Sequence, residues 1–134
     1  MKNTRTVCIA LLALFMSVPS FAQKGKVLFI LSEADTLLLK KGKKKRQTGV
    51  FLNEFYLAHK AIADAGFAID YATPTGKKAT IDQESLDDDY WEGKLELKPE
   101  AIDFWENNQS FSNPMTLTKA IEKQSEYIGL VIPG

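Results

Sequence analysis

Three short, nearly continuous apolar runs constrain the fold most strongly. They occupy residues 26–31, 67–72 and 127–132. Runs of this length and composition are typical of β-strands that are covered on both faces. The first two enclose a helical pattern over residues 49–65, with Thr48 as the expected N-cap and Gly66 as the stop. A strand, a helix and a strand in 47 residues predict a right-handed βαβ unit with parallel strands.

The rest of the chain adds helices and the third strand. Proline in the first turn predicts a helix from Pro99 to Asn107, and Asn113 followed by Pro114 predicts another that reaches Ser125. The fold class is therefore α/β, with a parallel sheet of about three strands. Because sheets usually have roughly four to six strands, we expect an incomplete sheet. The chain would then be a fragment, a truncated product or one half of a split domain.

The amino terminus has the three parts of a secretory signal peptide. Lys2 and Arg5 precede an apolar run at residues 7–16, and small residues lead to an expected cleavage after Ala22. A membrane-spanning helix needs roughly 20 apolar residues, so an uncleaved anchor is the weaker alternative. We expect residues 1–22 to be a signal peptide and residues 23–134 to be one small domain. The mature protein is expected to be periplasmic or secreted, without membrane contact.

Charge and cysteine content argue against several functions. The chain has 17 basic and 17 acidic residues, and loss of residues 1–22 removes two basic residues and no acid. The resulting net charge of about −2 argues against nucleic acid as a partner. Cys8, the only cysteine, lies in the expected signal peptide, so the mature chain would have no thiol for a disulfide, a metal site or a nucleophile. No motif for a metal or another cofactor is visible, and we expect neither.

Glu54 stands out within the helical pattern. At 100° per residue it lies at the centre of an apolar sector, near the carboxyl end of the first strand, where open parallel sheets bind ligands. The other members of the sector are Val50, Phe51, Leu57, Ala58, Ala61, Ile62 and Ala65. Leu52 and Phe55 are apolar but fall outside it, and Tyr56 is predicted to face solvent. One interpretation is a semi-buried acid with a raised pKa that hydrogen-bonds a reacting group. The alternative is a rim residue that reaches water, and periodicity does not decide between the two.

Four ordered segments together resemble the ThiJ/PfpI superfamily. They are residues 26–32 (KVLFILS), 48–54 (TGVFLNE), 64–67 (DAGF) with 72–76 (ATPTG), and 127–134 (YIGLVIPG). The nearest branch contains stress chaperones, glyoxalase III proteins and bacterial relatives described as type 1 glutamine amidotransferase-like. The resemblance covers nearly all of residues 23–134. It implies the amino-terminal half of a flavodoxin-like, three-layer α/β/α sandwich.

The resemblance also implies a function. Such proteins act on reactive carbonyls such as methylglyoxal, in a glyoxalase III or deglycase reaction, or serve as stress chaperones. The resemblance therefore implies a small carbonyl substrate or a protein client as partner. A homodimer is a further option. Glu54 falls on the family's glutamate, which touches a nucleophilic cysteine. Gly134 falls in a Pro-Gly-Gly-His stretch whose glycine amide helps to stabilise an oxyanion. The cysteine and the catalytic histidine are absent here, so we expect no catalysis by this chain alone.

Other side chains receive weaker functional interpretations. His59 matches no family position and points away from Glu54 on the wheel, so a surface or flank position is expected. The acidic residues 87–89 lack the spacing of a calcium loop. Trp91, Phe104 and Trp105 are expected to pack the middle helices or to cover a partner half.

Two surface functions remain as alternatives. The basic run at residues 40–46 is interpreted as a solvated loop, with polyanion binding as the alternative. A second class of function is a non-catalytic binding or chaperone-like module, which would use an exposed sheet edge and apolar surface.

Overall fold

The computed structural model describes residues 24–39 and 44–134. The expected signal peptide at residues 1–22, including Cys8, lies outside the described residues, as does part of the basic run. The strands are β1 Lys26–Ile30, β2 Thr36–Leu38, β3 Lys45–Gln47, β4 Ala68–Thr73, β5 Met115–Thr116 and β6 Tyr127–Val131. The α-helices are α1 Leu52–Asp64, α2 Lys98–Asn107, α3 Gln109–Ser112 and α4 Leu117–Glu122, and four short 3-10 helices occupy Gln83–Leu86, Asp88–Trp91, Leu95–Leu97 and Gln124–Glu126.

A parallel sheet with the strand order β5-β4-β1-β6 organises the chain. The predicted βαβ unit is confirmed, because β1 and β4 pair in parallel on either side of α1 in the sequence. The described sheet has four strands instead of about three. The additional strand, β5, has only two residues, which is too short for an apolar run to reveal it.

Helices cover the two faces of the sheet unequally, which gives the expected α/β/α layers. On one face, Val27, Phe29 and Leu31 pack with α1, α2 and α3 in the larger core, where Phe55 and Phe111 are fully buried. On the other face, Leu28 and Ala72 contact α4 through Ala120 in a small cluster. Four large apolar side chains on and beside that thin layer stay exposed: Ile121, Ile128, Leu130 and Ile132.

Helix α1 begins three residues later than the apolar pattern suggests. Its N-cap position is Phe51, which provides no side-chain hydrogen bond, so the prediction of Thr48 as N-cap is wrong. Val50 instead forms a parallel bridge with Ile81: its N–H donates to the Thr80 carbonyl at 2.7 Å, and its carbonyl accepts from Asp82 at 3.0 Å. The expected stop at Gly66 agrees with its φ of +88°, a conformation that favours glycine.

The middle segment is only partly as predicted. The helix expected at residues 99–107 is confirmed as α2. The helix expected from Asn113 to Ser125 is present only as α4, and its predicted start is wrong. Strand β5 comes first, and α4 begins after Thr116, whose hydroxyl accepts from the Lys119 N–H at 3.2 Å. Trp91 packs in the core as expected, and its indole N–H donates to the Ser85 carbonyl at 2.8 Å.

Strands β2 and β3 form an antiparallel hairpin between β1 and α1. All six of its strand residues are exposed. Arg46 forms an ion pair with Glu84, and the Thr48 N–H donates to the Asp35 carbonyl at 3.0 Å. The hydrogen bond closes the base of the hairpin, and the ion pair attaches the hairpin to the body of the protein.

Candidate functional site

The carboxyl ends of the parallel strands meet at one edge of the sheet. Leu31 follows β1, Thr73 ends β4, and the segment that ends at Gly134 follows β6. Ligands of open parallel sheets bind at this edge, outside the strand ends. The amino terminus of α1 lies at the same edge, because the connection after β1 returns there before the helix begins.

Glu54 and Gly134 lie side by side at this edge. A β-carbon placed on Gly134 would be only 2.8 Å from Oε2 of Glu54, so the carboxylate lies directly over the glycine backbone. The Phe51 N–H donates to the Gly134 carbonyl at 3.1 Å, which holds the segment after β6 against the start of α1. The structure therefore brings together the two residues that the sequence singled out for the site.

Several contacts hold the first turn of α1 in position. The Asn53 side-chain oxygen accepts from the Glu54 N–H at 2.7 Å, and its amide donates to the Tyr90 carbonyl at 2.6 Å. The Phe51 and Tyr90 rings pack edge to face, with 4.9 Å between their centroids. The first free N–H groups of a helix carry partial positive charge, so a carboxylate is favourable in this turn. Glu54 is thus presented from a fixed helix end.

The interpretation of Glu54 as a semi-buried acid is wrong for this structure, since its side chain is exposed. The buried residues of α1 are Leu52, Phe55 and Tyr56. The helical wheel placed the apolar sector of α1 on the wrong side for two reasons. It counted Val50 and Phe51, which precede the helix, and it counted several alanines, whose small side chains add little packing. The alternative prediction, a residue at the rim of the helix–sheet interface that reaches water, describes Glu54 correctly. Its side chain lies beside Gly134 and is open to solvent.

Glu33 is a residue of this edge that the sequence analysis did not single out. Its carboxylate accepts from the Thr75 and Lys77 N–H groups at 2.6 and 3.2 Å, and from the Thr75 hydroxyl at 2.9 Å. Desolvation raises the pKa of Glu33, but these hydrogen bonds, together with one from Thr73, outweigh it and lower the pKa to about 2. Glu33 thereby joins the loop after β1 to the turn after β4. The available signal in the sequence was an acid shortly after a buried strand, at its carboxyl end.

His59 is half-buried beside the larger core, so it lies at a flank position, one of the two expected, and not on the open surface. Its ring packs among the rings of Phe29, Phe55, Tyr56, Tyr71 and Phe104. The Tyr71 hydroxyl is 2.8 Å from Nδ1 and donates to it when the ring proton is on Nε2. Burial lowers the pKa of His59 to about 4. The side chain therefore packs as a neutral aromatic group.

Metal and membrane sites were searched over residues 24–39 and 44–134. No group of three or more His, Cys, Asp or Glu side chains in that part of the chain is arranged to hold a metal ion. Within the same ranges, every helix is too short or too polar to cross a bilayer.

Comparisons with known proteins find likeness in structure only. No family model matches the sequence. No curated protein matches it either. Glyoxalase III from Candida albicans matches with a TM-score of 0.51 and 24% identity over 72% of this chain and 38% of its own. Rapid Encystment Protein of 24 kDa from Francisella tularensis matches with a TM-score of 0.56 and 22% identity over 82% of this chain and 44% of its own.

These neighbours define the class of fold. A third crystal structure matches at a TM-score of 0.53 and 17% identity, over 42% of its length. The parallel sheet flanked by helices is a flavodoxin-like fold, as in these neighbours, which confirms the fold class that the sequence resemblance implied. The chain spans about two fifths of the length of these three structures.

Proposed function

We propose that this chain provides the amino-terminal half of a carbonyl-processing site of the glyoxalase III type. The observation that carries the proposal is the position of the Glu54 carboxylate against the backbone of Gly134, at the ligand-binding edge of a parallel sheet. The fold likeness to glyoxalase III supports it. The substrate class is a small reactive aldehyde such as methylglyoxal.

The two residues have complementary roles in this reaction. A thiolate attacks the carbonyl carbon, and negative charge develops on the carbonyl oxygen. A backbone N–H at Gly134 stabilises that oxyanion, while Glu54 hydrogen-bonds the reacting thiol and exchanges its proton. The thiol has to come from outside residues 24–134, since Cys8 is the only cysteine of the sequence. We therefore propose that a second half of the domain supplies it.

A chimera tests the role of Glu54. Residues 24–134 replace the matching amino-terminal part of glyoxalase III from Candida albicans, whose remaining chain contributes the missing half. We expect conversion of methylglyoxal to lactate, and a loss of about 100-fold in kcat/KM on Glu54→Gln, as is usual for a general acid or base. The matched control is Glu92→Gln, an exposed glutamate on another segment.

Three results would contradict the proposal. The first is an active chimera that Glu54→Gln leaves unchanged. The second is a folded chimera without activity. The third is methylglyoxal turnover by residues 24–134 on their own, because that segment contains no thiol.

A second candidate function is a non-catalytic, chaperone-like binding module. The observation that favours it is the thinly covered face of the sheet, where β6 and α4 border an open cavity of about 420 Å³. Ile121, Ile128 and Leu130 line this cavity and are 59%, 64% and 57% exposed. Apolar surface of this kind binds unfolded segments of other proteins.

Suppression of client aggregation tests this second function. We expect the chain to slow the aggregation of a heat-unfolded client enzyme, and Ile128→Lys with Leu130→Lys to abolish that effect. Leu95→Lys, a change at another exposed leucine, serves as control. Equal suppression by all variants would rule out this face as the binding surface.

A further inference from the structure

Helix α1 begins without the side-chain cap that a first turn usually has. The first N–H groups of a helix have no partner within it. Phe51, at the N-cap position, provides no side-chain hydrogen bond. Asn53 instead satisfies one of these groups, because its side-chain oxygen accepts from the Glu54 N–H at 2.7 Å. The residue that completes the helix start is therefore the direct neighbour of the glutamate at the proposed site.

The other end of the Asn53 side chain is bound to a distant segment. Its amide nitrogen donates to the Tyr90 carbonyl at 2.6 Å. An asparagine side chain carries an acceptor and donors, so it can bind both partners at once. Aspartate lacks the donor, and alanine lacks both groups. The bridge from Tyr90 to Glu54 therefore depends on the amide of Asn53.

Tyr90 is a fixed support for this bridge. It lies in the 3-10 helix Asp88–Trp91, where Trp91 is only 1% exposed. The Tyr90 hydroxyl donates to the Glu84 carboxylate at 2.7 Å, and the ring packs edge to face on Phe51. The carbonyl that anchors the bridge thus belongs to a residue held by its ring, by its hydroxyl and by a buried neighbour, 37 positions along the chain from its partner.

We propose that Asn53 is a positioning residue for Glu54 in the carbonyl reaction described above, and this inference rests on that proposed function. Because the Glu54 side chain is exposed, packing does not fix it, and the position of its backbone sets where the carboxylate can reach. An acid–base group contributes only within hydrogen-bond reach of the proton that it exchanges. Loss of the bridge displaces Glu54 from Gly134, which lowers kcat and leaves substrate binding unchanged.

Kinetics of the chimera with glyoxalase III test this role. Asn53→Ala removes both hydrogen bonds and is expected to lower kcat for methylglyoxal about tenfold, with KM within about twofold of the parent. Asn53→Asp keeps an oxygen for the Glu54 N–H but loses the donor to Tyr90, so it is also expected to lower kcat. The matched control is Asn107→Ala, which removes an exposed asparagine that donates to Asp103 on α2, and parent kinetics are expected for it.

A double-mutant cycle separates positioning from a general effect on the fold. If Asn53 acts through Glu54, Asn53→Ala changes kcat by less than about twofold once Glu54→Gln is present. A merely structural role would lower kcat by the same factor in both backgrounds, and that result would overturn the proposal. Parent kcat in Asn53→Ala or in Asn53→Asp would also overturn it. Circular dichroism and Tm are measured for each variant, and Asn53→Asp takes the place of Asn53→Ala in the cycle if the alanine variant does not fold.

Amide hydrogen exchange gives a second measurement, on the whole chain without the chimera. Asn53→Ala is expected to speed exchange of the Glu54 N–H about fivefold, the usual effect of one lost hydrogen bond, and Asn107→Ala to leave it unchanged. Unchanged exchange in Asn53→Ala would overturn this inference and leave the proposed function standing. A folded parent chimera without activity would instead contradict the proposed function, and this inference with it.

Discussion

At the scale of single residues, the surroundings lower the pKa of both His59 and Glu33, which favours the neutral form of the imidazole and the charged form of the carboxylate. The aromatic surroundings of His59 hold it neutral, because a charged imidazole would lose its hydration there. Hydrogen-bond donors around Glu33 stabilise its charged form. Each shift makes the stability of the fold depend on pH, and the two effects fall in different pH ranges.

Stability is expected to fall as the pH drops from 6.5 to 4, because of His59. In that range the unfolded chain binds a proton at its histidine, whose ordinary pKa is 6.5, while the folded chain does not until pH 4. Unfolding is therefore favoured by on the order of 2–3 kcal/mol at the lower end. Chemical denaturation at several pH values measures this slope. His59→Phe keeps an aromatic ring and is expected to remove the His59 part of the slope, and an unchanged slope would contradict the assignment.

Glu33 is expected to stabilise the fold at neutral pH. Its folded pKa of about 2 lies below the ordinary value of 4.5, so its contribution is complete above pH 4.5 and is lost as the pH falls toward 2. Glu33→Gln is expected to lower the Tm at pH 7 and to have little effect near pH 2. Glu92→Gln, which replaces an exposed glutamate, is the control. A Glu33→Gln variant as stable as the parent at pH 7 would show that its hydrogen bonds contribute little.

At the scale of elements, the start of α1 is set by a contact with a distant segment. Val50 pairs with the backbone around Ile81, and this bridge prevents the helix from beginning at Gly49. A β-carbon on Gly49 would lie 2.4 Å from the Thr80 carbonyl oxygen and 2.6 Å from the Asp82 nitrogen. Backbone atoms cannot move aside as a flexible side chain can. The absence of a side chain at Gly49 therefore allows the bridge and, through it, the position of Glu54.

Gly49→Ala is expected to lower the free energy of unfolding by about 1–3 kcal/mol, the usual cost of forcing extra atoms into a packed site. Urea denaturation measures the change. Gly129→Ala is the matched control, because its β-carbon would meet Val27 at 3.6 Å, an ordinary van der Waals distance. Equal stability of the two variants would contradict the close approach at Gly49.

At the scale of the whole molecule, the two faces of the sheet differ in how completely they are covered. Three helices pack on the face that contains Phe29, whereas α4 alone packs on the face of Leu28. Strand β6 lies at the edge of the described sheet, with Ile128 and Leu130 exposed beside it. The matched structures are more than twice as long as the part they share with this chain.

This asymmetry predicts that the folded chain binds an apolar fluorescent dye at the face of α4. Such dyes gain fluorescence on exposed apolar surface. Ile128→Lys with Leu130→Lys is expected to reduce the signal strongly, and Leu95→Lys to leave it unchanged. If the double variant gave the same dye fluorescence as the parent, this face would not be the exposed apolar surface in solution.

The sequence by itself determined the three apolar strands, the parallel βαβ unit, the stop at Gly66 after α1 and the helix expected at residues 99–107. These features depend on local patterns, such as continuous apolar runs, a glycine stop and a proline in a first turn. It also pointed to Glu54 and Gly134, through family resemblance.

Only the tertiary structure decided which side of α1 is buried, where His59 lies and how the hairpin exposes its leucines. Phe55 is buried and Glu54 is exposed because segments distant in sequence, around Ile81 and Phe104, pack against the helix. The short β5 forms because β4 offers it a free edge, which no pattern in two residues can encode. Burial is a property of what surrounds a side chain, and those surroundings come from the whole fold.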